Sequence, residues 1–188
     1  MYLKILSLIA LLCVPALGFA KIEYSERFEY YDIYPVSVAD VKVQLVDKSP
    51  VRIDGENFMA KTRWSVQTAF WAKFTMVGTG VKRTDIFVKV AYTMPRLAEG
   101  CCADDIIHHF DSFYEKLMLH EKGHSQHALN CMATLSHELM KTQPQADFKA
   151  LKKLFYQRNN AIIAGCEDLS NRYDVETNHG YTQGAFIR

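Results

Sequence analysis

The chain has 188 residues, 22 basic against 21 acidic side chains, and a formal net charge of +1. That balance, with no charge run and no basic stripe, gives no electrostatic reason to expect nucleic acid or an anionic membrane as a partner. The composition is that of a folded globular protein, and the length suits one domain with a real core.

The first segment, MYLKILSLIALLCVPALGFA, reads as a secretory signal peptide. Lys4 supplies the positive end, Ile5 to Leu17 the apolar run, and Gly18-Phe19-Ala20 the small residues that a signal peptidase reads. The run is too short and too close to the N-terminus for a stable membrane span. Cleavage after Ala20 leaves a single domain over 21–188 and a periplasmic or secreted destination; an uncleaved N-terminal anchor is the alternative.

Strands dominate up to about residue 100. RFEYYDIYPV (Arg27–Val36) is aromatic and β-branched. Ser37 to Asp40 forms a capping-box pattern opening a short helix through about Asp47. Two long strands are expected, Met59 to Met76 and Val81 to Met94, joined by a hairpin turn at Gly78–Gly80. After Gly100 the apolar spacing becomes three and four. A helix capped by Asp104 or Asp105 carries Ile106, Phe110, Phe113, Leu117 and onward to about Lys141. Thr142-Gln143-Pro144 breaks it, and a second, antiparallel helix starts near Ala146. The segment from Tyr173 to Gly184 is expected to lie after that helix, and the tail NHGYTQGAFIR (Asn178–Arg188) is expected to be turn-like. The layout is α+β.

Four cysteines remain after the signal: Cys101, Cys102, Cys131 and Cys166. In an exported chain they favour two disulfides. Adjacent cysteines rarely bond to each other, so Cys101 and Cys102 are each expected to find a distant partner. A bridge from Cys131 to Cys166 is reasonable across the two helices.

The stretch LHEKGHSQHAL (Leu119–Leu129) carries His120-Glu121-Lys122-Gly123-His124, an H-E-x-x-H spacing. Residues four apart on a helix share a face, so two imidazoles can reach one zinc ion, with the adjacent glutamate near enough to act as a base without ligating. Gly123 needs a reason, because glycine in a helix interior costs roughly 1 kcal/mol relative to alanine. A catalytic zinc takes three protein ligands, so one is missing. His127 would strain the site. Glu138 lies roughly 21 Å further along a continuous helix, and His108 and His109 are as distant on the other side. His179, after the second helix, can return to the metal from another element. The bland alternative is a solvated histidine-rich helix with no metal.

The chain resembles a bacterial family, domain of unknown function 922, described as predicted secreted zinc-dependent proteases. The resemblance runs through YYDIYPVSVADVKVQL, TRWSVQTAFW, VKVAYTMPRL, LHEKGHSQHAL and YDVETNHGYTQGA, in order over nearly the whole chain after residue 20. It implies a zincin-like fold: antiparallel strands packed on a long active-site helix and a returning antiparallel helix. It implies His120 and His124 as Zn2+ ligands and Glu121 as general base. His179, in a T-x-H-G segment, is implied as third ligand. In the same segment Tyr173 is placed to donate to the oxyanion and Asp174 to orient a ligating imidazole. Cys101-Cys102 and His127 are departures. The expected function is that of an exported zinc metallopeptidase acting on a protein or peptide substrate, with VKVAYTMPRL (Val88–Leu97) as the edge strand that receives it. The alternatives are a non-catalytic zinc-binding envelope module and a cell-wall amidase with the same metal centre.

Overall fold

A computed structural model describes residues 21–53 and 55–187. The signal-peptide segment lies outside the described residues. None of the helices among the described residues is long and apolar enough to cross a membrane.

The order of elements is β1 (Lys21–Ile33), α1 (Val38–Asp47), β2 (Val51–Ile53), β3 (Glu56–Phe58), β4 (Lys61–Thr75), β5 (Gly78–Leu97), α2 (Asp104–Met140) and α3 (Phe148–Thr177), followed by a 3-10 turn at Tyr181–Gln183. The α+β reading holds. Ser37 caps α1, its hydroxyl accepting from the Asp40 amide at 3.2 Å, while Asp40 accepts from the Val36 amide rather than closing the box on Ser37. Ala103, not an aspartate, occupies the N-cap of α2. Asp104 and Asp105 sit in its first turn, where their charge meets the positive end of the helix dipole.

The main sheet has the order β1-β5-β4. β4 and β5 form the expected antiparallel hairpin, but its two-residue turn is Met76-Val77, with Thr75 paired to Gly78. Gly78 stands at φ +129°, and a Cβ there would lie 2.3 Å from the Gln145 carbonyl oxygen. The glycine is needed because the α2–α3 connection bridges to the hairpin: Thr79 and Gln145 exchange backbone hydrogen bonds of 2.7 and 2.9 Å.

β1 pairs with β5 in parallel, Lys21 opposite Asp85 through Ile33 opposite Leu97. β5 is therefore the central strand, and the expectation that Val88–Leu97 is the substrate-receiving edge is corrected: its edges are taken by β1 and β4. Its side chains fit that position, since Ile86, Val88, Val90, Tyr92 and Met94 are all buried. Among the described residues β4 pairs with β5 alone and is an edge.

The core lies between this sheet and α2. Ile106, Phe110, Phe113, Leu117, Met132, Leu135 and Leu139 face it at helical spacing. From α3, Phe155 stacks on Phe70 of β4 with ring centroids 4.2 Å apart. α3 returns antiparallel to α2, and the Cys131–Cys166 disulfide joins them as expected. Cys101 and Cys102 bond to each other, which corrects the expectation of distant partners. With Cys131 and Cys166 matched across the helix pair, the loop entering α2 leaves the adjacent thiols only one another. Two disulfides are compatible with an exported chain.

Candidate metal centre

α2 is unbroken over 37 residues, so the buried stripe that packs on the sheet continues through its middle. There its chemistry changes: the buried positions after Leu117 are His120, Glu121, His124 and Ser125. Burying four polar residues on a core-facing stripe is unfavourable unless each is partnered. The partners of the two histidines come from the last turns of α3 and the segment after it, Glu121 is met by Thr62 of β4, and Ser125 donates to the Lys122 carbonyl of its own helix.

α3 runs to Thr177, so Tyr173 and Asp174 are helical and do not follow the helix, while the turn-like tail begins at Asn178 as expected. The helix continues through Gly165 and ends where three successive residues take left-handed conformations: Asn178 (φ +47°), His179 (φ +50°) and Gly180 (φ +83°). The amides of Asn178 and His179 close the helix end on Val175 and Asp174. Gly180 then passes close under α2; a Cβ there would stand 2.9 Å from Cγ of His120. Left-handed backbone at two non-glycine residues is strain held in place by its surroundings, as functional sites often hold it.

The antiparallel register brings Asp174 opposite both histidines of the motif. Its Oδ1 lies 3.2 Å from His120 Nε2 and 3.0 Å from His124 Nε2. The ligand atoms of His120, His124 and Asp174 all lie within 4.8 Å of one another, close enough to hold a metal ion. Each imidazole is fixed from behind. His120 Nδ1 faces Gln183 Oε1 at 3.0 Å, and His124 Nδ1 faces Ser170 Oγ at 2.8 Å. Gln183 turns its amide nitrogen to the Tyr173 hydroxyl (3.0 Å), which directs its oxygen at His120. His120 Nδ1 is thus the donor, and in the neutral ring Nε2 presents a lone pair. A lone pair 3.2 Å from a carboxylate oxygen is repulsive unless positive charge, a proton or a metal cation, lies between them. The donor set therefore fits a divalent metal.

The ionisation pattern agrees. Burial works to raise the Asp174 carboxyl, but hydrogen bonds from His120 and His124 outweigh it and hold the group far below the ordinary carboxylate range. Burial works to lower His120, but its bonds to Asp174 and the nearby Glu121 charge leave it raised. Glu121 is raised by burial, against a lowering hydrogen bond from Thr62 and the two imidazoles. Thr62 Oγ1 donates to Glu121 Oε2 at 2.6 Å. This ties the motif's glutamate to the first residues of edge strand β4.

The remaining candidates are placed as follows. His179 is half exposed, its Nδ1 3.6 Å from Asp174 Oδ1 and its ring 5.0 Å from Phe58, on the rim of the site and outside the tight set of three. Tyr173 does not line the cavity. Its ring stacks on His120 at 5.1 Å, and its hydroxyl lies against Gly123, where a Cβ would come within 2.1 Å. That contact is the reason for a glycine inside the helix. His127 packs against Tyr173 with ring centroids 4.9 Å apart, and Glu138 pairs with Lys141 and Arg158 well away from the site. His108 and His109 are exposed. The resemblance implies Asp174 as the residue that orients a ligating imidazole, and the structure brings its carboxylate to both His120 Nε2 and His124 Nε2. Thr62, Ser170 and Gln183 carry no sequence signal that marks them, since each is recruited from a different element.

The three groups and Glu121 open on a cavity of about 420 Å³, walled on the other side by Phe58 to Thr62. No curated protein and no solved structure matches the chain significantly. One family model does, described as bacterial protein of unknown function, over residues 28–180, a span that takes in the capped helix α1, most of the sheet, the H-E-x-x-H motif and His179. The chain thus belongs to the DUF922 family of bacterial proteins.

Proposed function

We propose that the protein is an exported zinc metallopeptidase. The observation that carries this reading is a buried glutamate of raised basicity, Glu121, beside two imidazoles and a carboxylate whose ligand atoms converge at one point of an open cavity. His120, His124 and Asp174 would hold the ion, with His179 at the rim. A zinc ion there supplies Lewis acidity, polarising a carbonyl and lowering the pKa of water toward ~7.

The chain's own residues do the rest. Gln183 fixes the His120 tautomer from behind, and Ser170 holds the orientation of the His124 ring. Thr62 holds one oxygen of Glu121, leaving the other free to take the proton of the attacking water. As the carbonyl–nitrogen bond breaks, Glu121 returns that proton to the leaving amine. Tyr173 acts here as a positioning residue, since its hydroxyl is held by Gln183 and the His120 carbonyl. A peptide would enter as an added strand on the free edge of β4, whose first residues, Lys61 and Thr62, wall the cavity next to Glu121.

Metal content and hydrolysis measured side by side test this reading. Wild type should hold about one zinc per chain and cleave a protein or peptide substrate, while Glu121→Gln keeps the metal and loses cleavage by more than ~100-fold. A zinc-loaded wild type that cleaves no protein, peptide or cell-wall peptide would make the protein a binding module. A chain that binds no divalent metal would sink the reading altogether.

A further inference from the structure

Overall charge is balanced, but the fold separates it. The hairpin tip from Trp71 to Arg83 contains Lys73, Lys82 and Arg83 and no acidic residue. The bridge between Thr79 and Gln145, and Phe148 stacked 5.8 Å from Phe70, set the first turns of α3 beside that tip. Those turns add Lys149, Lys152 and Lys153, all exposed. The acidic residues nearby are engaged: Asp147 caps α3, Asp85 pairs with Arg83, and Glu138 pairs with Lys141 and Arg158. The cations come from two segments about 70 positions apart, so no charge run appears in the sequence.

Within this basic end three large apolar side chains stand out of the molecule. Phe74 is 92% exposed, Met76 104% and Val77 77%. Phe74 continues the face of β4 that carries Phe70, but α3 begins at Phe148 and does not reach over it. Trp71, half exposed, lies just behind, with the Arg83 guanidinium 3.8 Å above its ring. Apolar groups on a turn this short form a convex wedge, not a groove, so they do not offer a cradle to a protein segment. A wedge ringed by cations, with a tryptophan at its base, matches the chemistry of a bilayer surface: apolar groups enter the acyl boundary and lysines meet anionic headgroups.

We propose that the β4–β5 hairpin tip is a peripheral docking site for an anionic lipid bilayer. The site is remote from the metal centre. Thr62 and Thr75 are thirteen positions apart in β4, roughly 40 Å of strand. Asp174 is as far from Phe148 along α3, roughly 40 Å again. A molecule docked by its tip holds the cavity at its opposite end, clear of the surface.

Vesicle flotation of the chain beginning at Lys21, which contains every described element, tests the proposal. Vesicles of phosphatidylglycerol and phosphatidylethanolamine should bind it, and phosphatidylcholine vesicles should bind at least ~10-fold less. Phe74→Ser with Met76→Ser should lower the partition at least ~10-fold with no fall in Tm, since both side chains are exposed. Trp71 emission, isolated in Trp64→Phe, should shift to the blue on binding. Glu121→Gln should bind vesicles as wild type does, so this result and the fate of the peptidase reading are separable. Absence of binding to anionic vesicles overturns the proposal. So does binding that survives the serine substitutions while Lys73→Glu with Lys82→Glu abolishes it, because that would be attachment to any polyanion, an acidic protein included.

Discussion

Asp174 Oδ1 faces two imidazole nitrogens, and the whole site turns on what lies between them. If it is a metal ion, Asp174→Ala should weaken zinc binding by more than ~100-fold, and Ser170→Ala or Gln183→Ala by ~10–100-fold. His179→Ala should cost less than ~10-fold, because its Nδ1 stands off the tight set. Competition with a chromophoric chelator ranks the four, and a larger loss at His179 than at Asp174 would reverse the ligand assignment. In the metal-free protein the same contacts set a pH window. The depressed Asp174 carboxyl stabilises the fold above its unfolded value near ~3.9, and that contribution disappears as pH falls through its folded value. The raised His120 stabilises the fold below ~6.5, and that contribution disappears as pH rises through its folded value. Asp174→Asn should therefore lower the Tm of the metal-free protein most between about pH 4 and 6.5 and least at alkaline pH. An equal effect at all pH values would mean that the carboxylate has a purely packing role. Gly123 adds a check on Tyr173. Alanine normally favours a helix interior, but here its Cβ meets the Tyr173 hydroxyl, so Gly123→Ala should cost about 1–3 kcal/mol in chemical denaturation.

At the scale of elements, α2 and α3 act as one clamp. The Cys131–Cys166 bridge joins them directly above His124, Ser170 and Asp174 in the helix pairing. Replacing both cysteines by serine should lower stability by about 2–4 kcal/mol and weaken metal binding, since the register that delivers Asp174 loses its tie. A loss of stability with unchanged metal affinity would separate the two functions. This dependence on register also explains what the sequence could disclose. His120, Glu121 and His124 were legible because four residues on one helix fix their common face without any other information. Asp174 was legible as a polar group near the motif but not as the group that meets both imidazoles. Its role depends on α3 continuing to Thr177 and on the pairing of that helix with α2, both non-local. The same limit hid the centre of the sheet. β5 reads as a long apolar strand, and a hairpin partner was visible in β4, but the parallel partner β1 lies more than 60 residues away and leaves no local mark. An edge was assigned to β5 that belongs to β4, which is also why Thr62 was not anticipated beside Glu121. The basic end was missed for a related reason, since its lysines come from two segments.

Across the molecule, the hydrogen bonds of the candidate metal site are concentrated where α2, α3 and the Asn178–Gln183 segment meet, while the hairpin tip is tied to the α2–α3 connection by its bridge to Gln145. Ligand binding stabilises the native state by mass action, about 2.7 kcal/mol when free zinc is a hundred times Kd, and a domain of this size should then gain roughly 5–10 °C in Tm. The gain need not be shared evenly, because the ligating groups tie together only one end of the helix pair. Hydrogen exchange with and without zinc should show slower exchange from about Lys116 to Ala128 and from Ser170 to Gln183, with little change from Phe74 to Gly80. Vesicles of anionic lipid should give the opposite map, slowing the tip and leaving the metal end unaltered. If zinc instead slowed exchange uniformly, the protein would open only as a whole, and the two ends could not be treated as separate sites. If zinc protected the tip as strongly as the helices, the roughly 40 Å between them would have to carry coupling, for which β4 offers the direct route, running unbroken from Thr62 at Glu121 to Phe74 at the tip.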